Sequence, residues 1–398
     1  MTNSSLKERI KQLANKYASE FIEIRHHLHS HPELSYKEFE TSNLIQQKLT
    51  EFGIPFEIKA TTGVIGLIEG KNPSKKIIAL RADMDALPIK EENIVPYKSQ
   101  NEGVMHACGH DVHTSVLLGA SKILNELKNE FEGTIKLIFQ PGEERNPGGA
   151  SLLIKAGVLE DPKPSAIVAL HVHPGLQTGK LSFRNGVVMA SADEIFITVR
   201  SKGGHAASPH TTADTILIAS HLVVALQQII SRNRNPFSPS VLTISSFQGG
   251  YTTNVIPSEV KLMGTFRAMD EEWRFKAHEL IRKEATGLVE SMGAEIDLHI
   301  DVGYPVVQND EKLHSLAAEQ AIIFAGKDNI EQTEMRMGAE DFGFYTQKIP
   351  GCFFRLGVMN KEKGITSGVH TPTFNIDESA IEIGMGIMAW LASSIDNI

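Results

Sequence analysis

The stretch TIKLIFQPGEE, residues 134–144, joins a near-continuous apolar run to a Pro-Gly break and two adjacent carboxylates. Such a run reads as a strand buried on both faces, the type found in parallel and mixed sheets covered by helices. Its carboxyl end is where open α/β sheets carry their chemistry. Neighbouring side chains diverge in extended backbone, so Glu143 and Glu144 face different ways and can do different work. Taken alone, a Glu-Glu pair after a turn reads more readily as a solvated acidic corner.

Working outward, the same arrangement recurs. The strand expected at 76–82 runs into Asp83 and Asp85, and the strand expected at 166–171 (AIVALH) ends in His171. Packing does not account for three strands delivering carboxylate or imidazole to one edge of a sheet, because a core takes apolar residues there. Leu6, Ile10, Leu13, Tyr17, Phe21, Ile24 and Leu28 recur at steps of three and four and predict an amphipathic helix. Further helices are expected over 37–52, 112–127, 149–156, 310–325 and 377–394, the last beginning beside Asp377 as N-cap, with strands at 63–68 and 352–357. Between them the rhythm changes. Strands at 193–200, 241–247, 256–266 and 294–301 and helices at 212–231 and 271–291 follow the βαββαβ order of a ferredoxin-like domain. The expected fold is α/β: a discontinuous domain with a mixed sheet flanked by helices, built from 1–187 and 303–398, and an inserted ferredoxin-like α+β domain over 188–302.

Composition fits this division. At about 150 residues per domain, 398 residues imply two or three domains. Lys and Arg total 39 against 48 Asp and Glu, a net charge of −9, which disfavours nucleic acid and anionic membranes as partners. No run of about 20 apolar residues is evident, and the first residues carry charges every few positions, so a cytoplasmic protein is expected. Cys108 and Cys352 are the only cysteines and cannot form a disulfide scaffold.

The segment MHACGHDVH, residues 105–113, packs a thiol, three imidazoles and a carboxylate just before a helix. Cys108 and His110 sit two apart, with Gly109 letting the backbone turn, and thiolate plus imidazole suits zinc or a similar first-row ion. The competing interpretation is a buried cysteine among helix-capping polar residues. Beside a metal, Glu143 and Glu144 suit a division of labour in which one ligates and the other takes a proton from water. Other chemistries lack their motifs: there is no GxSxG elbow, Walker A run or GxGxxG, and His278-Glu279 does not extend to HExxH.

With these residues the sequence resembles the M20 metallopeptidase and amidohydrolase family, and closely its subgroup of hippurate hydrolases, N-acyl-amino-acid aminoacylases, N-acetyldiaminopimelate deacetylases and auxin-conjugate hydrolases. The likeness is nearly full length: RADMDALP at 81–88, MHACGHDVH at 105–113, QPGEE at 140–144, LHVHP at 170–174, GGHAASPH at 203–210, NVIP at 254–257, GAEDFGFY at 338–345 and HTPTFNIDE at 370–378 stand in the subgroup's order. The resemblance implies two divalent ions per subunit held by Cys108, His110, Glu144, His171 and His370, with Glu143 as general base and acid. Zinc is the favoured ion, with manganese, nickel or cobalt as alternatives. Arg81 stands where the wider family has a histidine ligand, and Asp83 is expected to fix the tautomer of a ligand histidine. The inserted domain would act as lid and dimerisation domain of a homodimer or higher oligomer, supplying His205 to the opposite subunit's oxyanion. Asn254 and Arg267 would grip the carboxylate of an N-acyl amino acid. The implied reaction is hydrolysis of the amide bond of N-acyl-L-amino acids. The alternatives are a dedicated N-acetyldiaminopimelate deacetylase and a non-catalytic binding protein.

Overall fold

The computed structural model describes residues 3–396, and the chain divides into two compact units. The first comprises residues 1–188, 308–334 and 341–398; the second comprises 189–307 and 335–340. Against the expected boundaries, 303–307 and the short segment 335–340 belong with the inserted unit. The strand at 294–301 was expected to close that unit, and no periodic signal marks 335–340 as its return.

In chain order the first unit opens with α1 (Asn3–Ser30), α2 (Phe39–Phe52), β1 (Phe56–Lys59), β2 (Gly63–Glu69), β3 (Ile77–Asp83), α3 (His110–Glu126), β4 (Thr134–Gln140), α4 (Gly149–Lys155), β5 (Ala166–Gln177) and β6 (Leu181–Phe183). The second unit follows with β7 (Asp193–Arg200), α5 (Thr215–Gln228), β8 (Ser240–Gln248), β9 (Glu259–Ala268), α6 (Glu271–Ser291) and β10 (Glu295–Val302). The chain then returns through α7 (Glu311–Ala325), β11 (Ile330–Gln332), α8 (Gly343–Thr346), β12 (Gly351–Met359) and α9 (Ser379–Ser394).

The first unit is built on an eight-stranded sheet of order β1-β2-β4-β3-β5-β12-β6-β11. β4, β3, β5 and β12 run parallel, β1 and β2 pair antiparallel to their neighbours, and β6 is antiparallel to β12 but parallel to β11, so the sheet is mixed. Every residue of β4 is buried, as its unbroken apolar run predicts for a strand covered on both faces. The stripe read from the first helix is real: Leu6, Ile10, Leu13, Phe21, Ile24 and Leu28 are buried in one core with α3 and α9. Gly119 of α3 allows that close approach, because a Cβ there would overlap the Met385 side chain of α9. The short strands β1, β6 and β11 have no counterpart in the sequence reading; three or four residues are too few to show a period.

Within the second unit, β8-β9-β7-β10 form an antiparallel sheet in the split βαβ order, with α5 and α6 packed on its buried face. Asp214 and Asp270 cap the two helices by accepting backbone N–H bonds. α5 continues through a π-helical turn to Asn233, and Thr215–Asn233 is long and apolar enough to cross a membrane by length and composition, contrary to expectation. Ile218, Leu222, Leu226 and Ile229 on it are buried in the core of this unit, which accounts for one apolar face.

Candidate metal centre

β3, β4 and β5 are parallel neighbours, so their carboxyl ends meet at one edge of the first unit's sheet. There β3 delivers Asp83 and, just beyond it, Asp85; the turn after β4 delivers Glu143 and Glu144; β5 delivers His171. The loop before α3 adds Cys108, and His110 is the first residue of that helix, two residues earlier than expected. Gly109 makes this entry possible. Its φ is +86°, in the left-handed region, and a Cβ would lie 2.5 Å from the Val172 side chain. His370 arrives from the distant turn before α9, also at positive φ, and its backbone N–H bonds to the Ala107 carbonyl at 2.7 Å.

These side chains converge. Cys108 Sγ lies 3.4 Å from His171 Nε2 and 3.3 Å from His370 Nε2. Glu144 Oε1 is 3.2 Å from His370 Nε2 and 3.9 Å from His110 Nε2. Cys108 belongs to two donor triplets, one with His110 and His171 and one with Glu144 and His370; within each triplet the donor atoms lie within 4.8 Å of one another. Glu143 meets the same criterion with His110 and Glu144. All of these are buried or nearly so except His370, whose side chain is 51% exposed and forms the open rim.

Hydrogen bonds from behind set the tautomers. His171 Nδ1 sits 2.7 Å from the Val172 carbonyl, which must accept its proton, and this leaves the Nε2 lone pair facing Cys108. His110 Nδ1 is held by Asp85 Oδ1 at 3.2 Å, which turns Nε2 inward. His113 is occupied on both sides, with Nδ1 2.5 Å from Asp83 Oδ1 and Nε2 accepting the Val172 N–H at 2.9 Å, so it has no nitrogen left for a ligand. Asp83 therefore orients His113, and the carboxylate orienting His110 is Asp85. Asp85 does more: it accepts the N–H groups of Glu143 and Glu144 at 3.1 and 3.0 Å and the Ser35 hydroxyl at 2.6 Å. Arg81 Nη1 donates to Asp83 at 2.6 Å and Nη2 to Asp341 at 2.8 Å, while Asp341 also accepts from Gln140 and from the Ala150 N–H. Gln140 and Asp341 stand in the motifs QPGEE and GAEDFGFY but were given no role there; Asp85 drew attention through its place at a strand end.

The electrostatics are those of an anionic pocket. Burial raises the Cys108 thiol well above its ordinary range, and the charges of Glu144, Glu143 and Asp83 add to the effect. Burial opposes a charged His110, yet Asp83, Asp85 and Glu144 outweigh it and lift its pKa to about 10. His171 is pushed far down, by burial first and then by the charges of His113 and Arg355. Two buried atoms facing the cluster, His110 Nε2 and Glu144 Oε1, have no hydrogen-bond partner. Unsatisfied buried donors and acceptors are costly, and a cation would satisfy both and reverse the penalty on the thiolate. Thiolate, imidazole and carboxylate around a shared sulfur fit a pair of divalent ions.

In the second unit, the strand pair Gly204–His205 and Val255–Ile256 sets His205 opposite Val255, with Asn254 adjoining. His205 is exposed, and its Nδ1 accepts the Ala207 N–H at 3.0 Å, so the proton resides on Nε2. Asn254 is exposed, its Oδ1 accepting from the Thr252 hydroxyl at 3.2 Å. Arg267 lies apart from that ribbon on β9, with Nε bonded to Thr265 Oγ1 at 3.1 Å. Its acidic neighbour Asp193 is already paired to Arg274 at 2.5 Å and to His278 at 2.8 Å.

The profile of peptidase family M20/M25/M40 matches residues 79–394. The chain belongs to this family. An M20 relative from Geobacillus stearothermophilus, an N-acyl-L-amino acid amidohydrolase, is 40% identical over 307 residues, covering 77% of this chain and 82% of its own. An Arabidopsis thaliana relative, IAA-amino acid hydrolase ILR1-like 4, is 38% identical over 387 residues, covering 95% and 86%. The crystal structure of the Bacillus subtilis YXEP protein, described as a dinuclear metal binding peptidase of the M20 family, superposes with a TM-score of 0.83 at 34% identity over 95% of this chain and 98% of that one. This M20 protein is accordingly a metal-dependent amidohydrolase.

Proposed function

We propose that this chain hydrolyses the amide bond of N-acyl-L-amino acids, with Glu143 as the proton-transferring residue. The observation that carries the reading is the pairing of Glu143 with Glu144 beside Cys108, His110, His171 and His370 at one sheet edge. The names of the relatives from Geobacillus and Arabidopsis support the substrate class.

Cys108, His110, Glu144, His171 and His370 would hold the divalent ions, which when bound would supply Lewis acidity toward a carbonyl oxygen and toward water. Glu143, buried and oriented through its backbone N–H to Asp85, takes the proton from the attacking water and returns it to the leaving amine. His205, carrying its proton on Nε2, donates to the developing oxyanion of the opposite subunit in a homodimer. Asn254 and Arg267 hold the substrate's free carboxylate, for which a guanidinium fork is suited. The second unit is both lid and dimerisation domain, and Leu217 and Val224 on the outside of α5, 50% and 73% exposed, are the surface for a second copy. The Cys108 thiolate favours zinc over manganese, nickel or cobalt. Two free, buried cysteines fit the reducing cytoplasm.

The test pairs two substitutions. Glu143→Gln should lower turnover of benzoylglycine and N-acetyl amino acids by about 10²- to 10⁴-fold with metal content unchanged. Glu144→Gln should lose metal by elemental analysis. The reverse outcome would exchange the two roles, and full activity in Glu143→Gln would end the mechanism.

A further inference from the structure

α1 supplies no donor to the metal centre, yet Arg25 and His29 near its carboxyl end are fully buried. Arg25 uses each arm of its guanidinium fork. Nε donates to Asp111 Oδ2 at 2.8 Å, Nη1 to Glu378 Oε1 at 3.3 Å and Nη2 to Asn375 Oδ1 at 3.2 Å. Asp111 follows His110 in the first turn of α3, and Asn375 and Glu378 end the segment that begins at His370. One side chain of the opening helix thus joins two segments that lie far apart in sequence and each carry a candidate ligand. The Tyr97 ring covers the guanidinium, 4.6 Å from its centroid, and its hydroxyl reaches Asn375 Oδ1 at 3.3 Å. His29 bridges Asp111 Oδ2 at 2.8 Å and Glu91 Oε1 at 3.1 Å. On the donor side, the His370 N–H bond to the Ala107 carbonyl ties the same two segments a second time.

We propose that Arg25 is a positioning residue of the metal centre, setting the spacing between the His110 and His370 segments so that both imidazoles approach Glu144 Oε1. The proposal rests on the metal-centre reading above. A lysine could keep the charge but not the spacing, since an ammonium is a point charge while the planar fork reaches three acceptors. Removing the fork would also leave Asp111 buried with only His29 against it, and an undercompensated buried charge is strongly destabilising.

The experiment titrates the chelator-stripped full chain with cobalt(II) and follows the thiolate-to-cobalt and ligand-field absorption. Wild type should take up two equivalents, with a thiolate band from Cys108. Arg25→Lys, folded by circular dichroism, should bind cobalt about 10- to 100-fold more weakly with a displaced ligand-field spectrum, and Arg25→Met should do no better. Wild-type affinity and spectrum in Arg25→Lys would overturn the spacing role, whatever Arg25→Met does. If Arg25→Lys fails to fold, the half-buried arm is tested by Asn375→Ala with Glu378→Gln: weakened cobalt binding supports the clamp and unchanged binding overturns it. A wild-type chain that takes up no cobalt would overturn the metal-centre reading itself, and the clamp with it.

Discussion

Asp85 is the residue on which the donor cluster leans most, and Asp85→Asn tests that directly. The carboxylate accepts four bonds, from the Glu143 and Glu144 N–H groups, His110 Nδ1 and the Ser35 hydroxyl. Asparagine keeps the shape but has one acceptor oxygen. If that oxygen retains Glu143 and His110, which share Oδ1, the amide NH₂ meets the Ser35 hydroxyl and the Glu144 N–H. Ser35 can rotate to accept, whereas a backbone N–H cannot. One buried donor is left unsatisfied, at a cost of about 1–3 kcal/mol, and the surviving bonds fall from charge-assisted to neutral, about 1 kcal/mol more. The expected loss is about 2–4 kcal/mol in the stability of the first unit. The chain has two tryptophans, Trp273 in the second unit and Trp390 in the first, so in a Trp273→Phe background the fluorescence of Trp390 reports the relevant transition in urea. Held by a neutral amide oxygen instead of a carboxylate, His110 should also hold metal about 10- to 100-fold less tightly. A change under about 0.5 kcal/mol together with unaltered metal affinity would refute the reasoning, because it would mean the four bonds are dispensable.

Arg267→Ala should lower kcat/KM for N-acyl amino acids by about 10- to 100-fold, the worth of a charged hydrogen bond, and barely affect their carboxamides; equal damage to both would remove the carboxylate role. Burial, and then the negative charge of Asp85, push Glu38 up to about 7 although it accepts from the Tyr36 and Gly142 N–H groups. A raised carboxyl favours the protonated fold, so this stability is complete below about pH 4.5 and disappears as pH rises through about 7. Glu38→Gln should therefore match wild type at pH 4.5 and exceed it at pH 8 in urea denaturation; a gap that stays constant across that window would contradict the burial argument. Leu217→Glu with Val224→Glu, on the outer face of α5, should convert a dimer to a monomer in sedimentation with circular dichroism unchanged, and a wild-type monomer would end the dimer reading.

Much of the architecture was legible because it depends on local periodicity. The unbroken apolar run of β4, the three-and-four spacing of α1 and the strand and helix order of the second unit each announce an element within one stretch of chain. The candidate donors Glu143, Glu144 and His171 stood out for a related reason, because chemistry-bearing side chains are conspicuous after apolar strands; Cys108 and His110 stood out as a close pair in a loop, and His370 came only through the family resemblance. What periodicity could not carry was length and pairing. β5 was expected to end at His171 but runs on to Gln177, because β12 pairs alongside it. The segment 335–340 joins the second unit without any pattern of its own.

Sequence was sufficient for the inventory: an α/β chain, an inserted βαββαβ unit, and a thiol, imidazoles and carboxylates placed at strand ends and loops. Tertiary structure alone assigned work within that inventory. His113 looks as good a ligand as His110 in the segment 105–113, yet both its nitrogens are taken, one by Asp83 and one by the Val172 N–H. Asp83 and Asp85 look interchangeable, yet Asp85 holds the Glu143 and Glu144 turn while Asp83 is bound to Arg81 and His113. Arg25 looks like one more charge on an amphipathic helix and is instead buried between two segments that each carry a candidate ligand. Residue type and spacing reveal which groups can coordinate or transfer protons. Which of them are free to do so depends on the partner each hydrogen bond finds, and those partners come from distant parts of the chain that only folding brings into reach.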